Sequence, residues 1–180
     1  MHNVIEEILI TEEQLQTRIA ELGKVLAKDY EGKTPVFIGV LKGAIMFFAD
    51  MARATPIPCV YDFMAVSSYG AATISSGTIN LIKDISTDIK GRHVVILEDI
   101  LDTGHTLKFV IQHLMEKEPA SLKICTLLDK PDRRQAPITA EYVGFTIPNK
   151  FVVGYGLDYD EVYRNIPYIG VLKPEVYGKK

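Results

Sequence analysis

Tryptophan is absent from this 180-residue chain, cysteine occurs only twice, and neither sign of charge dominates. Each shortage excludes something. Cys59 and Cys125 are isolated, each in its own apolar strand-like run, so they read as buried free thiols. No disulfide framework is expected, and a cytoplasmic setting fits best. With 20 Lys and Arg against 23 Asp and Glu, a formal net charge of −3, nothing pulls the whole chain toward nucleic acid. The opening M-H-N-V-I-E-E is not a signal peptide, and no apolar run approaches the length of a membrane span. Several catalytic motifs are missing as well. Without G-x-x-x-x-G-K-[ST] a Walker-type triphosphatase is not expected, without H-E-x-x-H or a Cys/His cluster no zinc site, and without G-x-S-x-G no serine hydrolase. Gly154-Tyr155-Gly156 begins like a dinucleotide fingerprint, but the third glycine and the following helix pattern are lacking.

The length suits one domain with a full core, and a composition of 47% hydrophobic and 24% charged residues is that of a globular protein. Thr11 and Gln14 make a capping-box signature, after which Leu15, Ile19, Leu22 and Leu26 recur at helical spacing. Strands are predicted over 36–40, 59–66, 78–82, 94–97 and 122–128, with short ones at 142–146, 151–153 and 168–171. Helices are predicted over about 44–54 and from 107 onward. The uncharged, glycine-containing stretch S-S-Y-G-A-A-T-I-S-S-G at 67–77 suits a mobile loop, and the basic K-P-D-R-R-Q-A-P run at 130–137 reads as loop. This order predicts an α/β fold: a doubly wound, mostly parallel sheet flanked by helices, with a small hood on its C-terminal side. One domain is expected over 1–180. Its core would span about 11–146, and the hood would come from the N-terminal segment and about 147–180.

The most informative run is V-V-I-L-E-D-I-L-D-T-G-H-T-L at 94–107. Four apolar residues lead into two carboxylates, then an apolar pair, a third carboxylate and a Thr/Gly turn. An apolar run without alternation reads as a strand buried on both faces. Leu107, Val110, Ile111, Leu114 and Met115 then follow at helical spacing. The turn therefore joins a strand end to a helix start, where open α/β sheets bind ligands and helix N–H groups attract phosphate. Three acids beside such a turn point to a metal-bound sugar phosphate.

E-D-I-L-D-T-G-H-T after a strand resembles the signature of the type I phosphoribosyltransferases. V-L-K-G-A near 40, S-S-Y-G near 67, L-L-D-K-P near 127, F-V-V-G-Y-G-L-D-Y near 151 and Y-R-N at 163 are similar to the 6-oxopurine branch, the hypoxanthine (hypoxanthine-guanine) phosphoribosyltransferases. The resemblance implies transfer of a phosphoribosyl group from 5-phosphoribosyl-1-pyrophosphate to a 6-oxopurine, with Mg²⁺ as cofactor. It also implies roles. Thr103, Gly104, His105 and Thr106 would cradle the 5′-phosphate, with the His105 side chain dispensable. Glu98 and Asp99 would meet the ribose hydroxyls and the metal, and Asp102 would take the proton from purine N7. Lys42 and Gly43 match the pyrophosphate loop, where the preceding bond can be cis, and Arg164 would hold the leaving group. Lys130 would donate to the 6-oxo group, Phe151 would stack on the purine, and the Val152 backbone would read its edge. Asp158 is a candidate for a second metal, and Ser68, Tyr69 and Gly70 would belong to a closing lid.

Plainer readings stand beside these. Asp102 can cap a helix, Phe151 can be a core aromatic, Asp158 can cap a loop, and Lys42 and Arg164 can be surface cations. On the same fold, an RNA-binding pyrimidine attenuation regulator or a uracil phosphoribosyltransferase is the alternative function, and a repressor that senses phosphoribosyl pyrophosphate ranks last. The expected assembly is a homodimer or homotetramer, with neither nucleic acid nor membrane as partner.

Overall fold

In the computed structural model, which describes residues 2–68 and 79–178, Thr11 closes the first helix in both directions. The Gln14 N–H donates to Thr11 Oγ1 at 3.2 Å, and the Thr11 N–H donates to Gln14 Oε1 at 2.8 Å. A strand, β1 (Ile5–Ile10), precedes this cap, and α1 (Glu12–Asp29) follows it, burying Leu15, Ile19, Leu22 and Leu26 along one face. The chain continues through β2 (Val36–Leu41), α2 (Ile45–Ala54), β3 (Val60–Ser68), β4 (Ile79–Lys83), β5 (His93–Leu101), α3 (His105–Met115), β6 (Ser121–Asp129) and β7 (Tyr142–Thr146). Two short strands, β8 (Val152–Val153) and β9 (Ile169–Leu172), and the single turn α4 (Pro174–Tyr177) complete it.

Six strands form the main sheet in the order β4-β3-β2-β5-β6-β7, all parallel except β4, which runs antiparallel at the edge. This is the expected doubly wound, mostly parallel sheet flanked by helices. Its two apolar layers explain the unalternated sequence of β5. Val95 and Leu97 pack with Leu15, Ile19, Phe47 and Met51 on the α1/α2 side, whereas Val94 and Ile96 pack with Leu107, Val110 and Leu114 of α3. From β2 the chain winds outward through β3 and β4, then returns to β5 and winds the other way. The resulting switch point opens a crevice beyond the carboxyl ends of β2 and β5. The parallel register pairs Gly39 with Leu97, so the chain entering Lys42 and the chain entering Asp99 emerge side by side.

A second, antiparallel sheet of order β1-β9-β8 ties Ile5 to Leu172 and Val153 to Gly170. Strand β1 was not predicted. I-E-E-I-L-I lacks clean alternation, and its register against β9 is irregular, so only the partner reveals it. β5 also runs four residues beyond the apolar segment, because β6 continues to pair with it at Ile100↔Leu128 and Leu101↔Asp129. Among the described residues no helix is long and apolar enough to cross a membrane.

Buried Asp62 fastens β3 to the segment after β4, accepting from the N–H groups of Phe63 at 2.7 Å, Ser86 at 2.8 Å and Thr87 at 2.7 Å. Burial alone would raise its pKa, but the backbone donors of Thr87, Phe63 and Ser86 outweigh it and hold the carboxyl well below the usual carboxylate range. The stability due to this charge is therefore complete above the unfolded value and is lost as pH falls toward the depressed folded one. Asp62→Asn is expected to cost about 1–3 kcal/mol at pH 7, with the gap to wild type narrowing below about pH 4. Urea unfolding at pH 7 and pH 3 checks this; a gap independent of pH would contradict it.

Candidate active site

At the carboxyl end of β5, Asp99 is buried and Glu98 half-buried, and Glu98 Oε2 is enclosed with no hydrogen-bond partner. Asp99 Oδ1 accepts from the Ile100 N–H at 2.8 Å. Its other oxygen lies so close to Gly43 that a Cβ there would sit 1.9 Å away, so only glycine fits the turn after β2. Among the described residues neither acid makes an ion pair. Burial, then the neighbouring Asp99 charge, pushes Glu98 well up. Burial also raises Asp99, offset in part by the Ile100 N–H and, further off, by Arg164. The pair is short of positive charge.

Past Leu101 the chain turns through Asp102 and Thr103 into α3. Gly104 caps that helix with φ 85° and offers no side-chain cap, a left-handed conformation natural to glycine. The first-turn N–H groups of a helix lack intrahelical acceptors, and here Thr103, Gly104, Thr106 and Leu107 line a cavity of about 270 Å³ with Glu98, Ile100, Leu101 and Asp102. The turn is braced from outside. Arg134 donates through Nε to the Asp102 carbonyl at 2.9 Å, through Nη2 to the Leu101 carbonyl at 3.0 Å and through Nη1 to the Ile138 carbonyl at 2.6 Å, while Nη2 also pairs with Asp129. The Gln135 and Ala136 N–H groups both donate to the Thr103 carbonyl at 3.0 Å, and His105 Nε2 bonds Gln135 Oε1 at 2.8 Å. His105 thus points to the brace.

A second cavity, about 430 Å³, adjoins the first and is lined by Ile100, Asp102, Lys130, Arg133, Phe151, Val152 and Tyr177 among others. Ile100 and Asp102 line both cavities. Asp102 Oδ1 lies 3.1 Å from Arg133 Nε. Buried Lys130 donates from Nζ to the Lys150 carbonyl at 2.6 Å, and burial lowers its pKa, countered by the Asp102 charge. Phe151 is 39% exposed, which removes the core-aromatic reading.

Across the crevice the Leu41–Lys42 peptide bond is cis, and Lys42 Nζ donates to Glu161 Oε2 at 2.8 Å. Arg164 pairs with Asp158 Oδ1 at 3.0 Å and Glu161 at 3.4 Å and donates to the Gly156 carbonyl at 2.7 Å, leaving a buried Nε unpartnered. Asp158 also caps a turn, accepting from the Glu161 N–H at 2.8 Å. Among the described residues no three His, Cys, Asp or Glu side chains form a metal cluster, so Glu98, Asp99 and Asp158 are not ligands of one cage. Ser68 ends β3; Tyr69 and Gly70 lie outside the described residues. Arg133, Arg134 and Tyr177 were not singled out from sequence. The only hint of the first two was the basic run at 130–137.

A model of the phosphoribosyl transferase domain matches residues 6–160. The chain belongs to the phosphoribosyltransferase family. Within it, the hypoxanthine-guanine phosphoribosyltransferase of Lactococcus lactis is 51% identical, over 99% of this chain and 97% of that protein. The crystal structure of a hypoxanthine phosphoribosyltransferase from Staphylococcus aureus is 53% identical, with a TM-score of 0.94 over 98% of this chain and 96% of that one. The chain also matches the bifunctional protein TilS/HprT of Listeria innocua at 51% identity, but spans only 28% of that protein's length. The first two of these relatives are named for hypoxanthine or hypoxanthine-guanine transfer, and none of the three for a pyrimidine regulator or a uracil enzyme.

With the carboxyl pKa values of Glu98 and Asp99 raised in the folded chain, chiefly by burial, their contribution to stability falls as pH rises above the ordinary carboxylate range. Glu98→Gln is expected to raise the melting temperature of the ligand-free protein at pH 7.5, with a smaller gain at pH 4.5. Calorimetry at both pH values checks it; an equal change at both, or a loss at pH 7.5, would contradict it.

Proposed function

We propose that this phosphoribosyltransferase is a purine salvage enzyme. It transfers the 5-phosphoribosyl group from 5-phosphoribosyl-1-pyrophosphate to hypoxanthine or guanine, giving IMP or GMP and pyrophosphate. One observation carries the reading: Asp102 stands at the junction of two adjoining cavities, one built on a helix N-terminus and the other lined by an aromatic ring and a buried lysine. A phosphate suits the first and a flat base with a carbonyl suits the second. The names of the relatives support the same substrates.

The sugar phosphate enters with its 5′-phosphate against Thr103, Gly104, His105 and Thr106, held by backbone N–H groups and hydroxyls. Glu98 and Asp99 take the ribose 2′- and 3′-hydroxyls. Their raised pKa values and the orphaned Glu98 oxygen fit a divalent cation, which one or two carboxylates hold together with water and substrate oxygens. Mg²⁺ held there would neutralise pyrophosphate charge, and Asp158 is the protein group for a second ion. Lys42, the Gly43 backbone and Arg164 receive the pyrophosphate as it departs, and Glu161 must then give up both cations. The purine lies on Phe151 with its edge against the Val152 backbone. Lys130 has three N–H donors and spends one on Lys150, so another can reach the 6-oxo group. A 6-amino base offers no acceptor there. As the ribose carbon gains oxocarbenium character, N9 attacks it and Asp102 accepts the N7 proton. Ser68 and Tyr69 belong to the proposed lid, the protein acts in the cytoplasm, and it assembles as a homodimer or homotetramer.

A base panel assayed by product formation tests this reading. Hypoxanthine and guanine are expected to yield nucleotide only with phosphoribosyl pyrophosphate and Mg²⁺, and adenine and uracil to yield none. Asp102→Asn is expected to lower kcat by about 10²–10⁴-fold. Uracil turnover without purine turnover would overturn the function, and near-normal turnover by Asp102→Asn would overturn the role of that residue.

A further inference from the structure

Phe151 does not stand alone at the base cavity: two tyrosine rings pack against it. Phe151 precedes a strand of only two residues and is 39% exposed, so neither backbone nor core fixes its plane. Two tyrosines do. The Tyr177 ring lies parallel to it, with centroids 4.9 Å apart and planes 19° apart, and the Tyr159 ring meets it edge-on at 5.7 Å and 85°. Both are geometries that aromatic pairs favour. Tyr177 also lines the cavity that holds Asp102, Lys130 and Arg133.

Tyr177 is delivered by α4, a single turn whose Pro174 sits at the helix start, where its fixed φ suits the helix and its missing N–H costs nothing. The turn follows β9 directly and is tied to the residue before β1 by the Lys173 N–H, which donates to the Val4 carbonyl at 3.0 Å, and Tyr177 packs beside Val153, Ile166, Tyr168 and Leu172. The second sheet thus carries Tyr177, just beyond β9, to the cavity lined by Phe151.

We propose that Tyr177 is a base-positioning residue, and that the Phe151–Tyr177 stack forms the aromatic wall on which the 6-oxopurine is held. This rests on the purine reading of the site. Tyr177 lines the base cavity and not the phosphate cavity, so its effect falls on the base and not on the sugar phosphate.

Steady-state kinetics of wild type, Y177A, Y177L and Y177F, with hypoxanthine and phosphoribosyl pyrophosphate varied in turn, test it. Y177A and Y177L are expected to raise KM for hypoxanthine about fivefold while KM for phosphoribosyl pyrophosphate stays within about twofold. Y177F, which keeps the ring and loses only the hydroxyl, is expected to match wild type. Y177L retains apolar bulk, so a loss shared by Y177A and Y177L but not Y177F isolates stacking from folding. Three results would overturn the proposal with normal wild-type turnover: an unchanged or lowered KM for the base, a parallel rise in both KM values, or wild-type behaviour in Y177L. Wild type that transfers to no 6-oxopurine would instead sink the purine reading, and this proposal with it.

Discussion

Burial of two carboxylates at the open end of a parallel strand, with no cationic side chain paired to either among the described residues, is the constraint on which the rest of the site depends. A carboxyl removed from water either keeps its proton or needs a cationic partner, and in the proposed reading Glu98 and Asp99 receive that partner with the ligand. The surrounding structure follows from this placement. Two apolar layers must cover β5 to bury the acids at all. The turn after β2 must be glycine, because Gly43 passes against the Asp99 carboxylate. The switch point between β2 and β5 then presents Lys42 and the acids to one crevice.

The third acid has a different environment, in keeping with the different role proposed for it. Asp102 sits beyond the strand, partly exposed, facing Arg133 across 3.1 Å. Its backbone is gripped by Arg134, whose four contacts to Leu101, Asp102, Asp129 and Ile138 fix the turn more firmly than the turn's own sequence could. A proton acceptor must be positioned within hydrogen-bond reach of the atom it serves. Two consecutive arginines flank Asp102, Arg133 as an ion-pair partner of the side chain and Arg134 as a donor to the main chain, which suits the proposed role. Three acids within five residues are thus separated by environment: the first two poor in positive charge, the third provided with it.

How far the sequence reached depended on whether a feature was local. The capping box at Thr11 and Gln14, the buried β5 run and the helix beginning after Gly104 are all written within a few adjacent residues, and each was legible. Strand β1 was not, because its pairing partner β9 lies at the other end of the chain. The K-P-D-R-R run read as basic loop, and nothing in the letters says that Arg134 turns inward to carbonyls while Arg133 turns toward Asp102. Tyr177 lay in a four-residue turn too short to show periodicity. Conversely, Lys42, Asp102, Lys130, Phe151 and Arg164 were found through family motifs; the structure brings Asp102, Lys130 and Phe151 around one cavity and joins Lys42 to Arg164 through Glu161. What pairs with them in the free protein, such as Glu161 with Lys42 and Arg164, no motif could have told.

The central claim is that Asp102 divides a phosphate cavity from a base cavity. A crystal structure of the chain with Mg²⁺, phosphoribosyl pyrophosphate and a hypoxanthine analogue bearing carbon in place of N9 tests it most directly. The account predicts the 5′-phosphate against the N–H groups of 103–106, the ring against Phe151 with its 6-oxo group on Lys130, and the Asp102 carboxylate at N7. A phosphate bound elsewhere, or a base that leaves Asp102 paired only with Arg133, would contradict it.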